Sequence, residues 1–387
     1  MTTRRSFLTR TLALGCSAAA SPLVTPVTFA ATPGDNRLVV IILRGAMDGL
    51  DVVRPLGDPA LARHRPNQDG ALILNDFWGV HPALEPLVPL WAAGELSFAH
   101  AVSTPYRDKR SHFDGQDFLE NGGFRADGTL TDARDGWLNR LVADLPGATA
   151  ETAFAVGSEN LLLTSGAAPA STWAPEADLD LSPQAELLLE KIYAGDPLFH
   201  AAAMQAIALS ADTEGNMAGT RRRGRAKALA DFAAGRLREE TRLAAFSIGG
   251  WDTHARQANA LPRALRELTD AVLALKAGLG PLWGKTAVLC LTEFGRTVRE
   301  NGSGGTDHGT GGAAIFAGGA LKGGQIMGDW PGLGDGALYQ DRDLMPTRDV
   351  RAYAAHAIAA LLPVGTSTIE SRVFPGLEMG ADPGLIL

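Results

Sequence analysis

The chain has 387 residues, with 43 acidic side chains against 35 basic ones and a formal charge of −8 at neutral pH. That balance offers no basic face to nucleic acid or to anionic lipid, so neither is expected as a partner. The 45 glycines and 6% aromatic content favour a body with many tight loops over a helical bundle.

The first thirty residues read as an export signal. Thr3-Arg4-Arg5-Ser6-Phe7-Leu8 sets two arginines ahead of a small, apolar, uncharged run from Thr11 to Ala20. Pro22 and Pro26 break the run, and Thr28-Phe29-Ala30 offers the small-x-small pattern of a cleavage site. Paired arginines mark the route of the twin-arginine translocase, which carries folded cargo. The expected location is therefore the periplasm or the medium. The apolar run is shorter than the ~20 residues a bilayer span needs, so no stable membrane span is expected. Cys16 sits too early in the run, with Ala13 three residues before it, to read as a lipid-modified cysteine. Loss of this segment removes three arginines and takes the charge to −11. It also leaves Cys290 as the only thiol, which excludes an internal disulfide. Within Lys285–Leu291 that cysteine reads as buried core.

Residues 31–387 are read as one α/β domain. Arg37 to Leu43 is a continuous β-branched apolar run, the pattern of a strand buried on both faces. Further strands are expected at Leu96–Val102, Arg242–Ile248, Thr286–Leu291 and Ala313–Ala317. Helical patterns lie at Pro82–Ala93, Gln257–Leu279 and Arg348–Leu362. Such alternation predicts a mostly parallel central sheet with helices on both faces. The alanine-rich stretch 148–238 reads as a helical elaboration over that sheet. It has helices at Gln184–Ala194 and Arg225–Arg238 and one strand-like piece, Thr152–Val156.

In an open parallel sheet, ligands bind outside the carboxyl ends of the strands. Polar residues gather there: Asp48, Arg110-Ser111-His112-Phe113-Asp114, Trp251-Asp252-Thr253-His254, Glu293 with Arg296, and Thr306-Asp307-His308-Gly309. Any one carboxylate at a strand end can simply cap a helix. Asp and His recurring at successive ends point instead to metal, since divalent ions take carboxylate oxygen and imidazole nitrogen. Asp48, Asp252, His254, Glu293, Asp307 and His308 supply enough donors for a pair of ions, zinc or manganese. Ser111 is the best nucleophile, placed by a capping-box pattern at a helix N-terminus that attracts anions. Ser103 and Thr104 are rival hydroxyls. Arg110 and Arg296 are expected to clamp anionic oxygens. His112 reads as a ligand, an acid, or a helix residue bonded to a carbonyl. His81-Pro82 reads as a helix start and His100 lies within a strand, while His64, His200 and His356 lack acidic or glycine context, so all five read as structural.

The motifs LRGAMDGLD, RSHFDGQD, GGWDTH, TEFGRT, GTDHG and GDWPGL resemble, in order and over nearly all of the chain after the signal, the DUF1501 family of secreted bacterial proteins. That family is considered similar to the alkaline phosphatase and sulfatase superfamily. The resemblance implies an alkaline-phosphatase-like fold and a superfamily site pattern over Asp48, Ser111, Asp252 with His254, Glu293 and His308. Two departures stand out. Asp252 and His254 are two residues apart where the superfamily usually has four, and Glu293-Phe294 replaces an Asp-His pair. One ligand is therefore missing, or is supplied by Asp307 or His112.

The expected function is metal-dependent hydrolysis of a small phosphate or sulfate ester, with Ser111 attacking. The alternatives are a non-catalytic periplasmic binding or scaffold protein, and a phosphotransferase or isomerase using the same site.

Overall fold

Seven residues with no polar interruption beyond the first, Arg37–Leu43, form strand β1, and every one of them is buried. The computed structural model describes residues 34–68, 70–107, 109–125, 129–131, 134–157, 161–173 and 224–387. The segment 1–30 expected to direct export, the helix expected at 184–194 and His200 lie outside the described residues. After β1 come β2 (Leu96–Ser103), β3 (Ala153–Val156), β4 (Ser171–Trp173), β5 (Leu243–Ile248), β6 (Thr286–Leu291), β7 (Gly312–Ala317), β8 (Ile326–Met327) and β9 (Arg348–Asp349). They form a nine-stranded sheet in the order β8-β2-β7-β6-β1-β5-β3-β4, with β9 also paired to β2.

β1 lies at the centre, parallel to β5 on one side and to β6 on the other. β7 runs antiparallel to both β6 and β2, the one reversed member of this sheet among the described residues. The fold class is thus the expected α/β one with a mostly parallel sheet. The principal helices are α1 (His112–Asn121), α2 (Trp137–Asp144), α3 (Arg225–Leu237), α4 (Gln257–Leu279) and α5 (Val350–Leu361).

The period-2 alternation of a strand divides β1 between two cores. Val39, Ile41 and Leu43 face the layer of α3 and α4. Leu38, Val40 and Ile42 face the layer of α2 and α5. Both layers are closed, so Cys290 on β6 is fully buried, and burial pushes its thiol pKa up and keeps it protonated.

Several boundaries differ from expectation for local reasons. Arg348 and Asp349 pair with β2, and Asp349 caps α5 by accepting from the Arg351 N–H, so that helix starts two residues late. The helix expected at Pro82–Ala93 is a 3₁₀ turn, Pro82–Leu87, followed by a short α segment, Val88–Ala92. Pro86 and Pro89 each lack the N–H that a continuous helix needs there. Within 148–238, β3 and β4 extend the sheet beyond β5, while α3 packs on α4. No helix among the described residues is long and apolar enough to cross a membrane.

The reversed strand has a consequence for chemistry. Because β7 is antiparallel, its N-terminal end lies on the same edge as the carboxyl ends of β1, β2, β5 and β6. The loop before β7, carrying Asp307 and His308, therefore meets the loops after the other four.

Candidate metal centre

His112, Asp252, His254 and His308 converge on that edge, each offering a ligand atom within 4.8 Å of the others. His112 opens α1, Asp252 and His254 follow β5, and His308 precedes β7. An antiparallel bridge between Arg296 and His308 fastens the loop after β6 to the one before β7.

Each imidazole is oriented from behind. His112 Nδ1 donates to Glu293 Oε1 at 2.8 Å, His254 Nδ1 to Asp307 Oδ1 at 3.2 Å, and His308 Nδ1 to the Arg110 carbonyl at 2.7 Å. Carboxylates and carbonyls only accept, so all three Nδ1 atoms carry hydrogen, and Nε2 is the atom each ring has left to offer a metal. His254 Nε2 and His308 Nε2 are 2.8 Å apart. The Asp252 Oδ1 atom lies 3.4, 3.2 and 3.6 Å from the Nε2 atoms of His112, His254 and His308. His112 Nε2 is buried and makes no hydrogen bond.

Four lone-pair donors facing inward repel unless a cation lies among them. Donors about 2.0–2.2 Å from one tetrahedral ion stand about 3.3–3.6 Å apart, which the three distances from Asp252 match, while the 2.8 Å between His254 and His308 would have to widen. A residue behind each ring, fixing its tautomer, is the usual companion of histidine ligation. The donor set therefore fits a borderline divalent ion. No second group of three or more such side chains forms among the described residues.

The electrostatics are mixed, since a raised histidine pKa favours the protonated ring, which cannot ligate, and a lowered one the neutral ring, which can. The hydrogen bond to Glu293 raises the His112 pKa, whereas burial lowers that of His308. Burial opposes ionisation of Asp252 and Glu293, but Arg296 outweighs it at the first and His112 at the second, so both carboxyls titrate low. The hydrogen bond from Asn301 lowers the Asp307 pKa.

The residues expected from sequence divide cleanly. Asp252, His254 and His308 meet as expected, and His112 takes the fourth place. Glu293 and Asp307 stand behind the rings rather than among the converging atoms. Asp48 is elsewhere engaged. Arg65 reaches its two oxygens at 2.6 and 3.1 Å, and Gln257 donates to Oδ2 at 2.6 Å. Burial works against the Asp48 charge, but Arg65 prevails and lowers its pKa. Sealed in the core against Arg65, Asp48 is not among the converging atoms.

Arg296 also departs from expectation. Its guanidinium is sealed from solvent and donates to Asp252 Oδ1 at 2.5 Å and to the carbonyls of Gly45, Ala46, Trp251 and Thr306. It pins the loops together and cannot clamp an outside anion. Arg110 is partly exposed and paired with Asp343 at 3.0 Å, as is Arg342 at 3.3 Å. Ser111 caps α1, its Oγ accepting from the Asp114 N–H at 3.4 Å. Ser103 and Thr104 are buried. The histidines read as structural behave so: His64 and His356 contact the carbonyls of Leu333 and Met379, and His81 caps the Pro82 turn.

Gly45 shows why the first motif needs glycine. Its φ is +121°, and a Cβ there would lie 2.5 Å from the Asp252 nitrogen. The chain leaving β1 presses directly on the Asp252 loop.

Comparison with known proteins gives a family. No curated protein matches the chain. Among solved structures it is similar to the lipoteichoic acid synthase LtaP from Listeria monocytogenes, at 9% identity and TM-score 0.34 over 70% of this chain. It spans only 59% of the length of that protein. It is also similar to a mutant of TAB5 alkaline phosphatase with magnesium bound, at 13% identity and TM-score 0.34, covering 73% of this chain and 90% of that one. A third is phosphonoacetate hydrolase from Sinorhizobium meliloti 1021, at 16% identity and TM-score 0.26, covering 67% and 56%. At these scores the likenesses carry no argument about this chain. The family described as "Protein of unknown function (DUF1501)" matches residues 92–359, and the chain belongs to that family.

Proposed function

We propose that the protein is a hydrolase of phosphate or sulfate esters that uses one divalent cation, zinc or manganese, and works outside the cytoplasm after twin-arginine export. The observation carrying this reading is the convergence of three Nε2 atoms and one carboxylate, each ring held by its own Nδ1 acceptor. A divalent ion bound by His112, Asp252, His254 and His308 supplies positive charge that polarises an ester and steadies developing negative charge.

The chain's own groups do the rest. Ser111 stands in the chain between Arg110, whose carbonyl holds His308, and His112, and this neighbourhood supports it as the nucleophile. It opens a ten-residue helix whose free N–H groups and dipole favour an anion. Its capping bond is long at 3.4 Å, which leaves Oγ free to attack. Arg110 and Arg342 add positive charge at the rim. Glu293, Asp307 and Arg296 hold His112, His254 and Asp252 in place.

A second reading, a binding protein that keeps the cluster without turnover, draws on Arg296. The arginine expected to grip the anion is buried in the scaffold.

Replacing Ser111 by Ala separates the two. Hydrolysis of an aryl phosphate or sulfate should disappear while metal content and fold persist, since losing an N-cap costs only about 0.5–2 kcal/mol. Asp252→Ala should lower metal occupancy instead. Activity retained in Ser111→Ala removes Ser111 as nucleophile. A metal-loaded wild type inert toward a broad ester panel supports the binding protein.

A further inference from the structure

Gln257, the first residue of α4, belongs to none of the motifs and is not among the converging donors, yet it is 5% exposed and touches three chain segments of the site. Its Nε2 donates to Asp48 Oδ2 at 2.6 Å and to Asp51 Oδ2 at 2.9 Å. Its Oε1 accepts from Thr253 Oγ1 and Thr306 Oγ1, each at 2.8 Å. A primary amide has two N–H donors and two acceptor lone pairs, and here all four are used. The amide cannot be turned round, because carboxylates on one side only accept.

The partners are what matter. Thr253 lies between Asp252 and His254. Thr306 immediately precedes Asp307 and His308. The Thr306 N–H also bonds the Thr253 carbonyl at 3.1 Å, so the two loops touch where the amide grips both. On its other side the amide is tied to Asp48, which Arg65 holds immobile in the core. A buried network with every member satisfied is stiff, and removing one member strands its partners at considerable cost.

We infer that Gln257 is the positioning residue that sets the spacing of Asp252, His254 and His308 for a divalent cation, with Asp48 as its anchor. The inference rests on the cation-site reading of the cluster. Gln257 acts through the two threonines and touches no ligand atom itself.

The test is a calorimetric titration of the full chain with zinc after chelation, alongside thermal melts of the metal-free forms. Gln257→Leu keeps the volume and removes the polar atoms, and zinc affinity should fall about tenfold or more, the usual cost of losing an outer partner. Thr253→Val and Thr306→Val each remove one hydroxyl without changing shape and should also weaken binding. Thr306→Ser, which keeps the hydroxyl, should restore affinity to within about threefold of wild type. A general loss of packing would not follow the hydroxyl in this way. Folded Gln257→Leu binding zinc within about twofold of wild type overturns the inference. If that variant does not fold, the same result in the Thr253→Val/Thr306→Val double variant overturns it. A wild type that takes up neither zinc nor manganese sinks the cation site itself, an outcome distinct from equal binding by wild type and variant.

Discussion

A single ring shows how residue chemistry reaches stability. His100 on β2 is fully buried, its Nε2 facing the carbonyls of Gly49 at 3.2 Å and Val53 at 3.0 Å while Nδ1 accepts from the Ala101 N–H at 2.9 Å. The neutral ring satisfies every contact. A second proton would have to go on Nδ1 and break the last one, and burial pushes the pKa down to about 4. An unfolded histidine binds its proton near pH 6.5, whereas the folded one does not until about pH 4. Acid therefore favours the unfolded state across that window. Stability should fall by roughly 3 kcal/mol between those limits and level off below them. Chemical denaturation from pH 7 to 4 checks this: His100→Gln should flatten the decline, and an unchanged slope assigns the loss to other groups. The same scale explains what sequence could and could not reveal at the site. Asp48 and Asp252 look alike as carboxylates after a strand. They differ only in what faces them: Arg65, from a polar turn with no periodic signal, or three imidazoles. His112 was legible as one of three possibilities, and Glu293 alone decides among them by fixing its tautomer. Gln257 carried no sequence signal at all, since an amide at a helix start is ordinary.

Among elements, length of apolar pattern decided legibility. β1, β2, β5, β6 and β7 are runs of six to eight residues, buried throughout except at Ser247. β8 and β9 are two residues each, too short for any period, and exist because β2 offers an open edge. The turn after β1 yields a prediction at this scale. Gly45 donates to Glu293 Oε1 at 2.9 Å, accepts from Arg296, and abuts Asp252. Gly45→Ala must both hold a glycine-only φ and open the contact with the Asp252 loop. The strain alone is about 1–3 kcal/mol, and the collision adds to it. Thermal melting should drop accordingly, and an unaltered midpoint would mean that the turn relaxes freely.

The whole molecule combines a central sheet legible in advance with a start, residues 1–30, whose export role rests on pattern. Changing Arg4 and Arg5 together to Lys should leave the precursor in the cytoplasm, because the paired arginines are what the translocase reads. Fractionation with an antibody checks it, and undiminished periplasmic protein would refute the route. The position of β1 bears on when such a protein can leave. Leu38 pairs with Leu243 and with Ala287, so the earliest strand to emerge from the ribosome waits for partners made more than two hundred residues later. At about 5–20 residues per second, that is roughly 10–40 s during which Val39-Val40-Ile41-Ile42 has neither neighbour. The centre of the molecule is begun first and finished late. An unfolded threading pathway would meet this sticky segment bare, whereas a pathway that waits for the completed chain meets it already enclosed.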